Sequence, residues 1–162
     1  PHVHAFIDLA VRLGDIIQTT DPQAARERDA KFKAGQPEIF QFPTPRLGAG
    51  VWQGEQAPVA QVFPQPQLAD GRLLDAVLGL NFAVIGDEAV LGAVSEDTRE
   101  RWQEQGVVVL SANEPEVQAW LTQNGLRAVM LRPDRYIMGV AQSGAELDSI
   151  SALLPASAAL AD

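Results

Sequence analysis

A chain of 162 residues, 46% hydrophobic and 20% charged, is long enough to bury one sizeable core and to carry an extension beside it. It has no cysteine, which excludes disulfides, thiolate nucleophiles, iron–sulfur ligation and thiol redox chemistry. A formal net charge of -9 weighs against a nucleic-acid partner. No apolar run reaches the roughly 18 residues of a membrane span, so the expected location is cytoplasmic.

The charge divides the chain. Residues 1–35 hold five acids and five bases, whereas 36–162 hold sixteen acids and seven bases. Val3, Phe6, Ile7, Ala10, Val11, Gly14 and Ile17 recur at helical spacing, predicting an amphipathic helix over 3–17 with this stripe buried. Asp21-Pro22 then supplies an N-cap and a first-turn proline for a polar helix over Gln23 to Lys33, closed at Gly35. Residues 36–71 are rich in proline and glycine and read as a linker. Ile39, Phe40, Phe42, Val51, Trp52, Val62 and Phe63 make it too apolar for a solvated tether, so it should pack on a surface.

From residue 72 onward the pattern tightens. Leu80–Ile85 reads as a buried strand ended by Gly86. Ser95 with Glu96 and Asp97 opens a helix that stops at Gly106, and Val107–Leu110 is a second strand. Asn113 and Glu116 form a candidate capping pair for a helix ending at Asn124-Gly125. Leu126–Leu131 and Tyr136–Ala141 form a hairpin across Arg132-Pro133-Asp134-Arg135, and Ser143 with Glu146 opens a last helix through Leu154. The fold class is therefore α/β: a parallel βαβ unit and an antiparallel hairpin share a mixed four-stranded sheet in a thioredoxin-like domain over 72–162. A helical segment and a Pro/Gly-rich linker precede it.

Each motif with chemical potential has a plainer explanation. Thioredoxin-type redox enzymes carry Cys-x-x-Cys after the first strand; this chain has Gly86-Asp87-Glu88-Ala89-Val90-Leu91 instead. Gly48-Ala49-Gly50-Val51-Trp52-Gln53-Gly54 imitates a dinucleotide fingerprint, but its third glycine falls one place late and Pro58 interrupts any following helix. His2 and His4, without further ligands at metal spacing, read as helix-start residues. Asp8 with Asp15, and Asp70 with Asp75, fit solvated faces and caps better than acid–base pairs. Trp102 and Trp120 read as core residues, and Trp52 stays open between packing and ligand stacking. The expected set of catalytic, cofactor-binding and metal residues is none.

Five stretches in order carry a family likeness: Pro1-His2 before a long helix, Pro43-Thr44-Pro45-Arg46-Leu47, Asp70-Gly71-Arg72-Leu73-Leu74-Asp75, Leu78-Gly79 leading to Phe82–Ile85, and Leu131-Arg132-Pro133-Asp134-Arg135-Tyr136. Together they resemble the tail of class A flavoprotein aromatic hydroxylases, most of all the hydroxylases of 3-(3-hydroxyphenyl)propionate. The resemblance implies a parent enzyme that binds FAD, is reduced by NADH or NADPH, and inserts one oxygen atom into a phenolic ring. It also implies that 1–35 continues from a FAD-binding region absent from this chain, whose partners would be that FAD-binding and substrate region and a possible second subunit. No family catalytic residue maps onto these positions. Two readings follow: a non-catalytic structural or assembly portion of such a hydroxylase, or a stand-alone cysteine-free thioredoxin-like interaction module. Under the second, Phe42, Trp52 and Phe63 should close onto the domain's own sheet. A small enzyme built on the scattered carboxylates ranks last, lacking a nucleophile–base pair.

Overall fold

The computed structural model describes residues 2–35 and 47–155. Chain contacts divide it into two compact units, Pro1–Gly48 and Ala49–Asp162. Residues 49–71 thus share a unit with the sheet. Phe42 and the Pro43–Arg46 motif lie outside the described residues.

The first unit holds α1 (His2–Ile17) and α2 (Pro22–Lys33). Asp21 caps α2 by accepting from the amides of Gln23 and Ala24, with Pro22 at the first helical position, where its missing N–H costs nothing. Arg28 donates to the Ile16 carbonyl at 2.9 Å, tying the helices together. The expected burial of the α1 stripe is not found: Val3 is 61%, Val11 57% and Ile17 75% exposed. Helical periodicity identifies an apolar face but cannot say that the covering surface is within the same chain.

In the second unit the elements are α3 (Leu74–Leu78), β1 (Ala83–Gly86), α4 (Glu88–Gly92), α5 (Glu96–Glu104), β2 (Val108–Ser111), α6 (Pro115–Gln123), β3 (Ala128–Leu131), β4 (Ile137–Ala141) and α7 (Gly144–Ser151). Helices α3 and α4 were not expected; at five residues each they are too short to show a period. The sheet order is β2-β1-β3-β4, with β1 parallel to β2 and antiparallel to β3, and β3 antiparallel to β4. This is the mixed four-stranded sheet read from the sequence.

Side chains on adjacent strand positions point to opposite faces. Val84, Ala128, Met130, Met138 and Ala141 form one buried cluster with Val90, Trp102, Leu147 and Ile150 from α4, α5 and α7. Ile85, Val129, Leu131 and Ile137, also buried, occupy the opposite side together in register. Both faces of β1 and β3 are therefore covered, which explains their continuously apolar sequence.

Two local expectations are corrected. Leu80 is 89% exposed and lies before the strand, because Gly79 takes a left-handed φ of 57° and turns the chain there. The N-cap of α6 is Glu114 and not Asn113: Pro115 occupies the first helical position and so fixes the cap at the residue before it.

Candidate functional site

Where a thioredoxin-type enzyme would carry its cysteines, β1 runs into Asp87, the N-cap of α4, which accepts from the Val90 amide at 2.8 Å. Arg127, entering β3 alongside, pairs with the other carboxylate oxygen at 2.6 Å. Burial pushes the Asp87 carboxyl upward, but the Arg127 and Val90 hydrogen bonds outweigh it and hold the group below the usual carboxylate range. Both polar groups are thus engaged in joining α4 to β3. No nucleophile stands between them.

The glycine run Gly48–Gly54 lies on no strand-to-helix turn. A side chain at Gly50 would run into the Trp52 ring, so that space is taken by the chain itself. Trp52 is half-buried, with the Arg132 guanidinium 5.9 Å from its ring centre. Among the described residues, this glycine run does not join a strand to a helix N-terminus, the arrangement that cradles a dinucleotide pyrophosphate.

The paired carboxylates go separate ways. Asp8 and Asp15 are exposed on α1. Asp70 is held below its ordinary value by the backbone amide and then the side chain of Arg72, which it meets at 2.7 Å. Asp75 instead pairs with Arg135 at 2.5 Å. His4 is exposed, and among the described residues no three His, Cys, Asp or Glu groups converge as a metal site. Trp102 is buried as expected, while Trp120 is half-buried and meets Phe63 edge-on at 4.7 Å between ring centres.

The Arg132-Pro133-Asp134-Arg135 connection is a braced turn. Arg132 donates twice to Asp134, at 3.1 Å and 2.6 Å, and the Arg135 amide donates to the Arg132 carbonyl at 2.9 Å. Arg135 adopts a left-handed φ of 66°, unusual for a residue with a side chain. Its guanidinium reaches Asp75 and the Gly79 carbonyl, so the turn clamps both ends of α3. That long-range clamp was missed in the sequence, where sixty residues separate Arg135 from Asp75.

The model of the HcaD C-terminal domain matches residues 60–156, from the segment beside β4 to just beyond α7. The chain belongs to that family. A hydroxylase of Mycobacterium sp. (strain KMS), named for 3-(3-hydroxy-phenyl)propionate and 3-hydroxycinnamic acid, is 28% identical over 91% of this chain and 33% of its own length. The hydroxylase of the same name from Escherichia coli (strain SMS-3-5 / SECEC) is 26% identical over 86% of this chain and 32% of its own. The chain spans about a third of the length of these curated relatives. Among solved structures, the substrate-free rebeccamycin biosynthetic enzyme RebC aligns with a TM-score of 0.52 at 17% identity, covering 82% of this chain and 28% of that one. RebC soaked with K252c aligns at a TM-score of 0.51 and 16% identity, over 83% of this chain and 29% of its own. At such identity the likeness speaks to fold. In this member of the HcaD C-terminal domain family, Asp87 with Arg127, Asp134 with Arg132 and Asp75 with Arg135 brace a helix cap, the hairpin and α3.

Proposed function

We propose that this chain is the non-catalytic, C-terminal structural and assembly portion of a longer FAD- and NAD(P)H-dependent aromatic-ring hydroxylase, acting in the cytoplasm on a phenolic substrate of the 3-(3-hydroxyphenyl)propionate kind. Its immediate partner is the FAD-binding and substrate region of the same polypeptide, with a second subunit as a further one. Catalytic, flavin and nicotinamide contacts reside in that other region. The observation that carries the reading is the pairing of a family match over 60–156 with an apolar α1 stripe left exposed. A helix face with Val3, Val11 and Ile17 in water is what a surface made to pack on further protein presents.

One observation favours the second reading, a stand-alone interaction module. Phe63 is buried within the second unit, as that reading requires, and Trp52 is half-buried there. The two readings separate in one experiment: the intact mass and visible absorbance of the protein purified from its native source. A yellow polypeptide about three times the length of this chain, as the coverage of the relatives implies, supports the hydroxylase reading. A colourless protein of 17.4 kDa overturns it and leaves the module.

A further inference from the structure

The two edges of the sheet are finished differently. Beyond β4, the chain lays its own segment alongside: Ala60 donates to the Ile137 carbonyl at 2.9 Å, Ile137 to Gln61 at 2.9 Å, and Phe63 to Arg135 at 2.9 Å, with Val62 bridged to Tyr136. Beyond β2, no strand pairs among the described residues. Val108 donates to the Phe82 carbonyl at 2.9 Å and Ala112 to Gly86 at 2.8 Å, so these backbone groups face β1. Strand alternation then turns the N–H and C=O of Val109 outward. The Val109 side chain is 45% exposed and lines a 350 Å3 groove with Val107, Leu91, Trp102, Arg99 and Gln103.

Sheet edges are ordinarily guarded by proline, lysine, an inward charge or a bulge. β2 has none of these. The run Gln105–Asn113 holds nine consecutive uncharged residues in a chain of net charge -9. That run decides the occupant. Like charges opposite one another weaken a strand pair, and between Gln105 and Asn113 a second copy sets no charge against a like charge, although the net charge of the two chains still opposes association. With the β4 edge already covered, pairing through β2 also closes at two copies and cannot propagate.

We propose that β2 is the contact through which two copies of this chain associate, antiparallel across a two-fold axis, with Val109 of one opposite Val109 of the other and the two sheets joined into one. The proposal rests on the assembly role argued above and gives it a surface. A four-residue strand pair buries less than about 1,200 Å2, the class of weak contacts, so the dimer is concentration-dependent.

The test is sedimentation equilibrium of this chain over a wide concentration range, together with amide exchange resolved at Val109. The mass is expected to rise from 17.4 kDa toward twice that value, with exchange at Val109 slowing in parallel. Val109→Lys, at an exposed side chain, is expected to weaken association about tenfold or more, the equivalent of about 1.4 kcal/mol, while leaving the unfolding midpoint in place. A monomer at every concentration, a dimer in which Val109 still exchanges fast, or a dimer that survives Val109→Lys undiminished overturns the proposal. Protection of Val109 that is independent of concentration in a longer native polypeptide also overturns it, by assigning the edge to another segment of that polypeptide. These results leave the hydroxylase reading standing, because that reading is decided by native mass and colour alone.

Discussion

Trp102 on α5 donates its indole N–H to the hydroxyl of Ser151 on α7 at 2.8 Å, and both residues are buried. The bond joins two helices on one face of the sheet and satisfies the single donor of a large apolar side chain. Ser151→Ala leaves that donor orphaned, and the expected cost is about 1–3 kcal/mol in denaturant unfolding. Ser151→Ala combined with Trp102→Phe removes donor and acceptor together. The double variant is expected to lose less than the sum of the two single variants, and additive losses would show that the hydrogen bond contributes nothing of its own.

Gly144, at the first position of α7, allows the close approach of α7 to the end of α4. A side chain built there would overlap the Ala93 carbonyl and crowd the Val94 amide, both backbone atoms that cannot swing aside. Gly144→Ala is therefore expected to destabilise by about 1–3 kcal/mol despite the better helix propensity of alanine. Gly92→Ala is the control, since nothing lies within 4 Å of the added methyl. A Gly144→Ala chain as stable as Gly92→Ala would mean that α7 shifts freely on the sheet.

Asp148 on α7 reaches the start of α5, accepting from the Ser95 amide at 3.0 Å and the Ser95 hydroxyl at 3.1 Å. Burial raises its proton affinity, but the hydrogen bonds from Thr98 and Ser95 prevail and set the folded-state pKa below the ordinary 3.8. A depressed carboxylate stabilises the fold above its unfolded pKa and loses that contribution as pH falls through the folded value. Asp148→Ala should thus cost about 1 kcal/mol near neutrality and progressively less below about pH 4. Unfolding midpoints of the two chains as a function of pH test this; a gap that persists unchanged in acid refutes the charged-acceptor role.

Caps and strand runs were legible because their causes are local. Ser95 accepts from the Thr98 amide, and Ser143 from Glu146, as their spacing implied. A proline at the first helical position places the N-cap just before it, at Asp21 before Pro22 and at Glu114 before Pro115, and this outweighs the Asn113–Glu116 capping-pair pattern. What stayed hidden is what depends on distant chain. Arg135 pairing with Asp75, the seal of residues 60–63 on β4, and the exposure of the α1 stripe are all decided by tertiary neighbours. Of the candidate site, the Arg132–Arg135 turn was legible in local sequence, whereas the Asp87–Arg127 pair joins residues forty apart and was not.

The exposed α1 stripe makes opposite predictions for this chain and for a longer polypeptide. Val11 is 57% exposed, so Val11→Glu removes little buried surface and is expected to change the stability of the 162-residue chain by no more than about 0.5 kcal/mol. If the face packs on the FAD-binding region of the proposed hydroxylase, the same substitution there buries an unpaired carboxylate, and that longer protein should lose several kcal/mol and release flavin at lower temperature. Thermal unfolding of both proteins, with flavin fluorescence followed in the second, measures the contrast. Equal and negligible effects in the two would detach α1 from any role in joining this domain to the rest of the enzyme.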